Sequence, residues 1–167
     1  YHVGINKPEH LTGNFNAHLA QSLFTHVEEG FWAGDKRNQG VLQSLVTNDE
    51  VLLERKGYDA APMPNYGRIL ITSNELWVVP ASDDERRWLV LDVSDAKMQN
   101  KKYFDALYRQ LRQEGGAAAF FHFLLQVDLD NLPGFAVDKP PTTDALVQQK
   151  LESLHNVERW WFECLWN

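Results

Sequence analysis

The sequence predicts an α/β fold in which a core of parallel strands comes first and a helical region follows. Short apolar runs at Leu23–Val27 and Arg68–Thr72 are typical of the buried strands of parallel sheets. From residue 101 onward, apolar residues recur mainly at helical spacing. We therefore expect an α/β core over residues 1–95 and a helical C-terminal region over residues 96–167.

The composition fits a folded domain. The 167 residues are 44% hydrophobic and 12% aromatic, which is enough to bury a core. A single cysteine, Cys164, excludes a disulfide framework and favours the cytosol. No apolar run reaches membrane-spanning length, so we expect no membrane partner. The net charge of -7 means that any DNA contact has to come from a local basic spot.

The elements of the first half are each predicted from a local pattern. Asn14 can cap a short helix over residues 14–21. Three apolar residues over 38–46 share one helical face. Gly57 allows the positive φ of a turn after a strand that starts at Val51. The remaining apolar runs are predicted as strands over 22–27, 68–72 and 88–93.

The second half is predicted to be helical. Apolar residues at positions i, i+3, i+4 and i+7 indicate a helix over 101–113, and a glycine pair separates it from a helix over 117–127. Three prolines mark 131–143 as a loop or linker. The helical region over 144–166 is expected to break near Asn156, and its tryptophans are expected to pack on the core rather than stack on bases.

Two acids, Glu28 and Glu29, directly follow the run Leu23–Val27. Ligands of open α/β sheets bind outside the carboxyl ends of the strands. Nucleotide hydrolases need one carboxylate to hold magnesium, directly or through water, and another to orient or deprotonate the attacking water. Paired acids at a strand end can supply both, although a solvated strand terminus is the commoner explanation on local grounds alone.

Polar residues at two further places could complete such a site. Asn74 follows the run Arg68–Thr72, where its neutral amide can hydrogen-bond a phosphate or its attacking water, or can simply form a turn. Arg86 and Arg87 precede the run at 88–93. An arginine side chain can stabilise phosphate charge that develops in a transition state, or can form a surface ion pair of little energetic weight.

Five short motifs occur along the chain in the order His10–Asn16, Phe31–Lys36, Glu54–Gly57, Thr72–Asn74 and Asp84–Arg87. Together they resemble the superfamily 3 helicase domain, and more narrowly that of phage- and prophage-encoded primase–helicases. The resemblance covers nearly the whole chain. It implies an AAA+-like core that assembles as a hexameric ring around DNA, with a primase domain upstream, ATP and magnesium as cofactors of the intact protein, and the bacterial host cytoplasm as its location.

The resemblance also implies a role for each polar residue. Glu28 and Glu29 would be the Walker B acids, with Glu28 holding magnesium through water. Asn74 would be the sensor asparagine. Arg86 or Arg87 would be the arginine finger, which acts on the nucleotide site of the neighbouring subunit.

A DNA-binding hairpin is the remaining feature that the resemblance implies. Residues 54–58 would lie in the family's hairpin, which reaches DNA in the channel of the ring. Arg55 and Lys56 would be its phosphate contacts.

Two departures from the family pattern affect the expected activity. The family usually has Asp-Glu where this chain has Glu28 and Glu29, and the extra methylene moves the first carboxylate outward. No G-x-x-x-x-G-K-[ST] loop occurs in the chain, and the resemblance places that loop upstream of Tyr1. We therefore expect a partial AAA+-like core that lacks the Walker A strand and loop. This chain alone should neither bind ATP and magnesium tightly nor hydrolyse ATP.

Other interpretations of the same residues stay open. The chain could be a non-catalytic remnant or assembly module that keeps the fold. A small α/β enzyme with Glu28 and Glu29 as acid and base is less favoured, because adjacent residues of a strand point to opposite faces. One basic group is expected to be a solvated helix face, with DNA contact as the second interpretation: Lys97, Lys101, Lys102, Arg109 and Arg112.

Overall fold

The computed structural model describes residues 1–7, 9–13, 15–29, 36–131 and 140–166. The predicted cap Asn14, most of the motif Phe31–Lys36 and most of the predicted loop over 131–143 lie outside these residues. The chain divides into two compact units, one formed by Tyr1–Leu89 with Thr142–Asn167 and the other by Val90–Pro141. The domain boundary predicted at residue 95 stays a prediction.

The described elements are five strands, six α-helices and three short 3-10 helices. The strands are β1 (His2–Ile5), β2 (Phe24–Glu28), β3 (Glu50–Leu53), β4 (Ala61–Pro64) and β5 (Arg68–Thr72). The α-helices are α1 (Glu9–Thr12), α2 (Lys36–Thr47), α3 (Lys101–Gln113), α4 (Gly116–Leu125), α5 (Asp144–Glu152) and α6 (Asn156–Trp166). The 3-10 helices cover Ala17–Gln21, Asp95–Lys97 and Leu129–Asn131.

A three-stranded parallel sheet forms the centre of the first unit. Its strand order is β1-β2-β5, and both neighbouring pairs are parallel. Thr25 of β2 pairs with Val3 on one side and Ile69 on the other. The apolar core of this unit includes Ile5, Leu11, Val27 and Leu42, which are almost completely buried. The sheet confirms the predicted mixed α/β class with parallel strands.

Strands β3 and β4 form a separate antiparallel hairpin. Two of the four residues of β4 are prolines, which lack a backbone N–H and are tolerated where a strand has a partner on one side only. Asn16 binds the end of β3 where the connecting loop begins: its Nδ2 donates to the carbonyl of Leu52 over 2.9 Å, and its Oδ1 accepts from the N–H of Glu54 over 2.9 Å. Gly57 adopts the expected positive φ, at 83°, in the connection between the strands.

Most predicted helices are confirmed. The helix predicted over 38–46 is α2, those predicted over 101–113 and 117–127 are α3 and α4, and the break near Asn156 separates α5 from α6. Within the described part of the helix predicted over 14–21, only Ala17–Gln21 is helical, and it is of the 3-10 type. No helix in the described ranges is long and apolar enough to span a membrane.

The prediction of a strand over 88–93 was wrong, because none of these residues is in a strand. Trp88 is buried, but the side chains beyond it turn outward, with Leu91 66% and Val93 94% exposed. The preceding segment bonds to a helix rather than to a strand, because Oε1 of Gln149 on α5 accepts from the backbone N–H groups of Val78 and Val79. An apolar run forms a strand only where another strand can satisfy its backbone, and no strand pairs with this run among the described residues.

The expected burial was wrong in two other places. Strand β5 has no fully buried residue, and Leu70 is 46% exposed. Helix α6 also has no fully buried residue, and its tryptophans are more than half exposed. Trp160 and Trp161 instead contact each other, with ring centroids 5.5 Å apart. The helix is held by an ion pair of 2.7 Å between Arg159 and Glu152 on α5.

Candidate functional site

The carboxyl ends of β2 and β5 meet at one edge of the sheet. Glu28, the last residue of β2, pairs in register with Thr72, the last residue of β5. The side chain of Glu28 is 65% exposed at this edge. The two predicted strand-end groups, the acids after β2 and the asparagine after β5, therefore leave the sheet side by side.

Glu29 and Asn74 are joined by a hydrogen bond just beyond the strand ends. Nδ2 of Asn74 donates to Oε1 of Glu29 over 3.1 Å. The backbone N–H of Glu29 donates to the carbonyl of Thr72 over 2.9 Å, which continues the pairing of the two strands by one residue. The adjacent parallel strands thus bring together two residues that are 45 positions apart in the sequence.

The backbone of Glu29 is in the left-handed region, with φ at 46°. This conformation costs a non-glycine residue about 1 kcal/mol and is seldom adopted without a stabilising contact. Here the bonds to Thr72 and Asn74 supply that contact. The turn also ends the strand alternation after Glu28, so the two carboxylates are not fixed on opposite faces by strand geometry.

His26 belongs to the same edge and was not among the residues that the sequence predicted there. Its Nε2 lies 3.0 Å from Oγ1 of Thr72, and its Nδ1 lies 3.8 Å from Oε1 of Glu28. Residues 26 and 28 share a face of β2 because side chains alternate along a strand. The spacing of two residues was the signal in the sequence for a His–Glu pair. It is informative only once residues 26–28 are assigned to a strand.

The edge can contribute oxygen ligands to a magnesium ion but cannot enclose one. Magnesium in nucleotide sites is usually held by one or two carboxylates, with phosphates and water as the remaining ligands. Glu28 offers one exposed carboxylate of this kind. Within the described residues, no group of three or more His, Cys, Asp or Glu side chains is arranged to hold a metal. Glu28 by itself could supply one carboxylate ligand to such an ion.

The two arginines before residue 88 differ in what they contact. The buried carboxylate of Glu85 accepts from the backbone N–H groups of Arg86, over 3.0 Å, and Arg87, over 2.7 Å. The guanidinium of Arg87 lies 3.3 Å from the same carboxylate, and its Nε donates to Oγ1 of Thr47 over 3.1 Å. Arg87 is therefore held by its own chain.

The side chain of Arg86 is exposed and makes no hydrogen bond or ion pair with another described residue. Its charge acts on Asp84, whose pKa is lowered first by the hydrogen bond from Oγ of Ser82 and then by a backbone bond and by Arg86 and Arg87. Neither arginine bonds to the strand-end acids or to Asn74 in the described part of the chain. The arginines and the strand-end residues thus form two separate groups.

Arg55 and Lys56 lie in the connection between β3 and β4 and are exposed. The backbone N–H of Tyr58 donates to the carbonyl of Arg55 over 3.0 Å and closes a turn there. The ring of Tyr58 is 75% exposed. The hairpin therefore presents two cations and an aromatic ring to the solvent at its tip.

Comparisons with known proteins relate this chain to a phage replication protein. The sequence profile described as "Family of unknown function (DUF5906)" matches residues 1–87. A protein named DNA Primase-polymerase, from Nitratiruptor phage NrS-1, is 20% identical over 162 residues. The match covers 91% of this chain but only 22% of that protein, so the chain spans about a fifth of its relative's length.

Solved structures of the NrS-1 C-terminal region have the same fold. An apo structure of that region superposes with a TM-score of 0.73 at 18% identity, covering 93% of this chain and 37% of the other. Its A form apo structure gives a TM-score of 0.72 at 16% identity, covering 98% and 41%. At these identities the superpositions establish the fold and not the activity.

Proposed function

We propose that this chain, which belongs to the DUF5906 family, is part of an ATP-driven DNA helicase that acts in phage or mobile-element DNA replication. The similarity to a phage DNA primase-polymerase supports a replication role. The parallel sheet with polar residues at its carboxyl edge supports a nucleotide site of the AAA+-like, superfamily 3 kind.

The hydrogen bond between Asn74 and Glu29 carries the proposal. It brings a carboxylate and a neutral amide together at the tips of neighbouring strands, where a nucleotide hydrolase positions the attacking water. In our account Glu29 accepts a proton from that water. The amide of Asn74 orients Glu29 and can hydrogen-bond an oxygen of the terminal phosphate. Such proton transfer contributes about 100- to 10,000-fold to a rate.

Glu28 is the proposed magnesium ligand, through water. Magnesium would neutralise charge on the phosphates of bound ATP. The side chain of Glu28 is exposed, so water can reach the ion that it would hold. The role of Glu28 is thus to hold the ion's hydration shell at the strand end.

Arg86 is the arginine finger in this proposal, and Arg87 is a positioning residue. Arg87 is bound to Glu85 and Thr47 of its own chain, whereas the guanidinium of Arg86 is exposed. In a ring of subunits, proposed to be a hexamer, Arg86 would stabilise phosphate charge in the neighbouring site. The exposed cations Arg55 and Lys56 would contact the phosphates of DNA in the channel.

The proposed motor needs more sequence than these 167 residues. A phosphate-binding G-x-x-x-x-G-K-[ST] loop does not occur in them. The relative is several times longer than this chain. We therefore include in the proposal a preceding strand that carries this loop, and a primase domain before that strand. We also propose that the whole protein works in the cytoplasm of a bacterial host.

Expression of the whole open reading frame that encodes this chain allows a direct test. We expect DNA to stimulate its ATP hydrolysis, and we expect Asn74→Ala to lower that rate by at least about tenfold because Glu29 loses its orienting donor. Asn48→Ala, which removes another exposed amide, should leave the rate unchanged. An equal rate for Asn74→Ala and the unaltered protein would refute the site.

A non-catalytic assembly module is the second candidate. The glutamate at position 28, where the superfamily 3 pattern usually has aspartate, favours it. This candidate predicts no ATP hydrolysis by the whole reading frame. A glycine-rich Lys-Ser or Lys-Thr motif encoded upstream, together with DNA-stimulated hydrolysis, would exclude it.

A further inference from the structure

Helix α3 collects its basic residues on one face. The helix carries four basic side chains and one acidic side chain, although the whole chain has a net charge of -7. At 3.6 residues per turn, the four cations fall within an arc of about 100° and along a length of about 16 Å. Asp105, the one acid of the helix, lies within the same arc, and Tyr108 borders it. We define the basic face of α3 by these residues: Lys101, Lys102, Tyr108, Arg109 and Arg112.

The cations of this face can exchange their present partners for phosphates. Lys101 pairs with Asp105, and Arg109 pairs with Glu114 over 3.0 Å. All four of these side chains are more than half exposed, and exposed ion pairs contribute about 0–1 kcal/mol, so a polyanion can displace them. Lys102 makes no hydrogen bond or ion pair within the described ranges and is exposed.

An aromatic ring lies at the edge of the cations. The guanidinium carbon of Arg112 lies 5.1 Å from the centroid of the Tyr108 ring, and that ring is 51% exposed. Outside this arc, Nζ of Lys97 lies 5.4 Å from the ring centroid of Tyr103. Aromatic rings beside cations are the combination that binds single-stranded nucleic acids, because bases stack on the rings while cations contact the phosphates.

We propose that the basic face of α3 is a binding surface for single-stranded DNA. Cations bind the phosphate backbone there, and Tyr108 stacks on a base. The choice of a polyanion follows from charge complementarity on an otherwise acidic chain. The choice of DNA rests on the proposed replication function. This surface is separate in sequence from the hairpin cations Arg55 and Lys56, so the two can be tested independently.

The test measures binding of fluorescein-labelled oligothymidine to the 167-residue chain by fluorescence anisotropy over a range of salt concentrations. The double variant Lys102→Ala, Arg112→Ala should weaken binding. It should also make the fall of log K with log salt shallower by about 1.4, since each phosphate contact on a single strand contributes about 0.7 to that slope. The charge-preserving double variant Lys102→Arg, Arg112→Lys should keep the slope. The altered side chains are exposed, so circular dichroism should show an unchanged fold.

The ring gives a second, independent readout. Tyr108→Leu should weaken binding by about fivefold or more, whereas Tyr108→Phe should bind like the unaltered chain because it keeps the stacking face. An unchanged salt slope in the alanine double variant would overturn the proposal. Equal affinity for oligothymidine and polyglutamate, with no effect of Tyr108→Leu, would assign the face to an acidic protein instead.

These results are distinguishable from a failure of the proposed motor. The α3 variants leave Glu29, Asn74 and Arg86 intact, and DNA binding by the 167-residue chain needs no ATP. A chain that binds oligothymidine through α3 while the whole reading frame does not hydrolyse ATP would support this surface and refute the motor. If the whole reading frame hydrolyses ATP but the chain binds no oligothymidine through α3, the motor would be supported and this surface refuted.

Discussion

Asn74 donates a hydrogen bond of 3.1 Å from Nδ2 to Oε1 of Glu29, and this bond joins the turns that follow two adjacent parallel strands. The backbone of Glu29 is left-handed at this point, which a non-glycine residue adopts seldom and at a free-energy cost. Such strain clusters at functional sites but also occurs in ordinary turns, and Gln99, with φ at 60°, is a second left-handed non-glycine residue in the described part of the chain. The bond between Asn74 and Glu29 makes this edge of the sheet the site that we propose for testing.

The two arginines should respond differently to substitution. Arg86→Ala should change the free energy of unfolding by less than about 0.5 kcal/mol, because its side chain is exposed. Arg87→Ala should destabilise the chain by about 1–3 kcal/mol, because it leaves the buried carboxylate of Glu85 without its cation. Urea unfolding measures both values. Equal stabilities would show that Glu85 and Arg87 do not form the ion pair described.

The hairpin tip should contribute to DNA affinity through charge. We expect the double variant Arg55→Ala, Lys56→Ala to make the fall of log K with log salt shallower for single-stranded DNA by about 1.4, because two phosphate contacts of about 0.7 each are lost. Filter binding at several salt concentrations gives the slope. The double variant Arg55→Lys, Lys56→Arg is the control. If alanine at both positions leaves the slope intact, the hairpin does not contact DNA.

Gln149 should be essential for attaching residues 76–81 to α5. Its Oε1 accepts from Val78 and Val79, its Nε2 donates to the carbonyl of Leu76, and its side chain is buried. Gln149→Leu should cost about 3 kcal/mol, because it leaves buried backbone groups without partners. The neighbouring, exposed Gln148→Leu is the matched control. A similar urea midpoint for the two variants would contradict this assignment.

Ser82 should control the acidity of Asp84. The hydrogen bond from Ser82 is the largest cause of the lowered pKa of Asp84, so Ser82→Ala should raise that pKa toward 3.8. A lowered folded-state pKa stabilises the fold above 3.8 and loses this contribution as the pH falls through the folded pKa, so Ser82→Ala should make stability less sensitive to acid. An NMR titration of the carboxyl groups measures the change. Asp128, whose pKa is lowered by Asn131, should not move.

The strands that the sequence predicted are those with a complete local pattern. The runs at 22–27 and 68–72 are apolar and β-branched, and both form strands of the parallel sheet. β1 has only four residues and β4 contains two prolines, so neither has a pattern that distinguishes it from a loop. The run at 88–93 has the pattern but no strand beside it among the described residues. Its outcome depended on tertiary neighbours that local spacing does not encode.

Part of the candidate site's membership was predictable from the sequence, but its geometry was not. Acids and an asparagine after two parallel strands are expected to meet at one edge, and Glu29 and Asn74 do meet. The left-handed backbone at position 29 was not predictable, because the residue there is a glutamate and not a glycine. The difference between Arg86 and Arg87 depends on the burial of Glu85, which is a property of the folded chain.

Glu29→Gln in the whole open reading frame tests the central claim most directly. The substitution keeps a side-chain oxygen for the amide of Asn74 but removes the carboxylate that would accept a proton from water. We predict that DNA-stimulated ATP hydrolysis falls by at least about 100-fold while ATP binding, followed with a fluorescent analogue, persists. Hydrolysis by Glu29→Gln at the rate of the unaltered protein would contradict the assignment of this strand-end site.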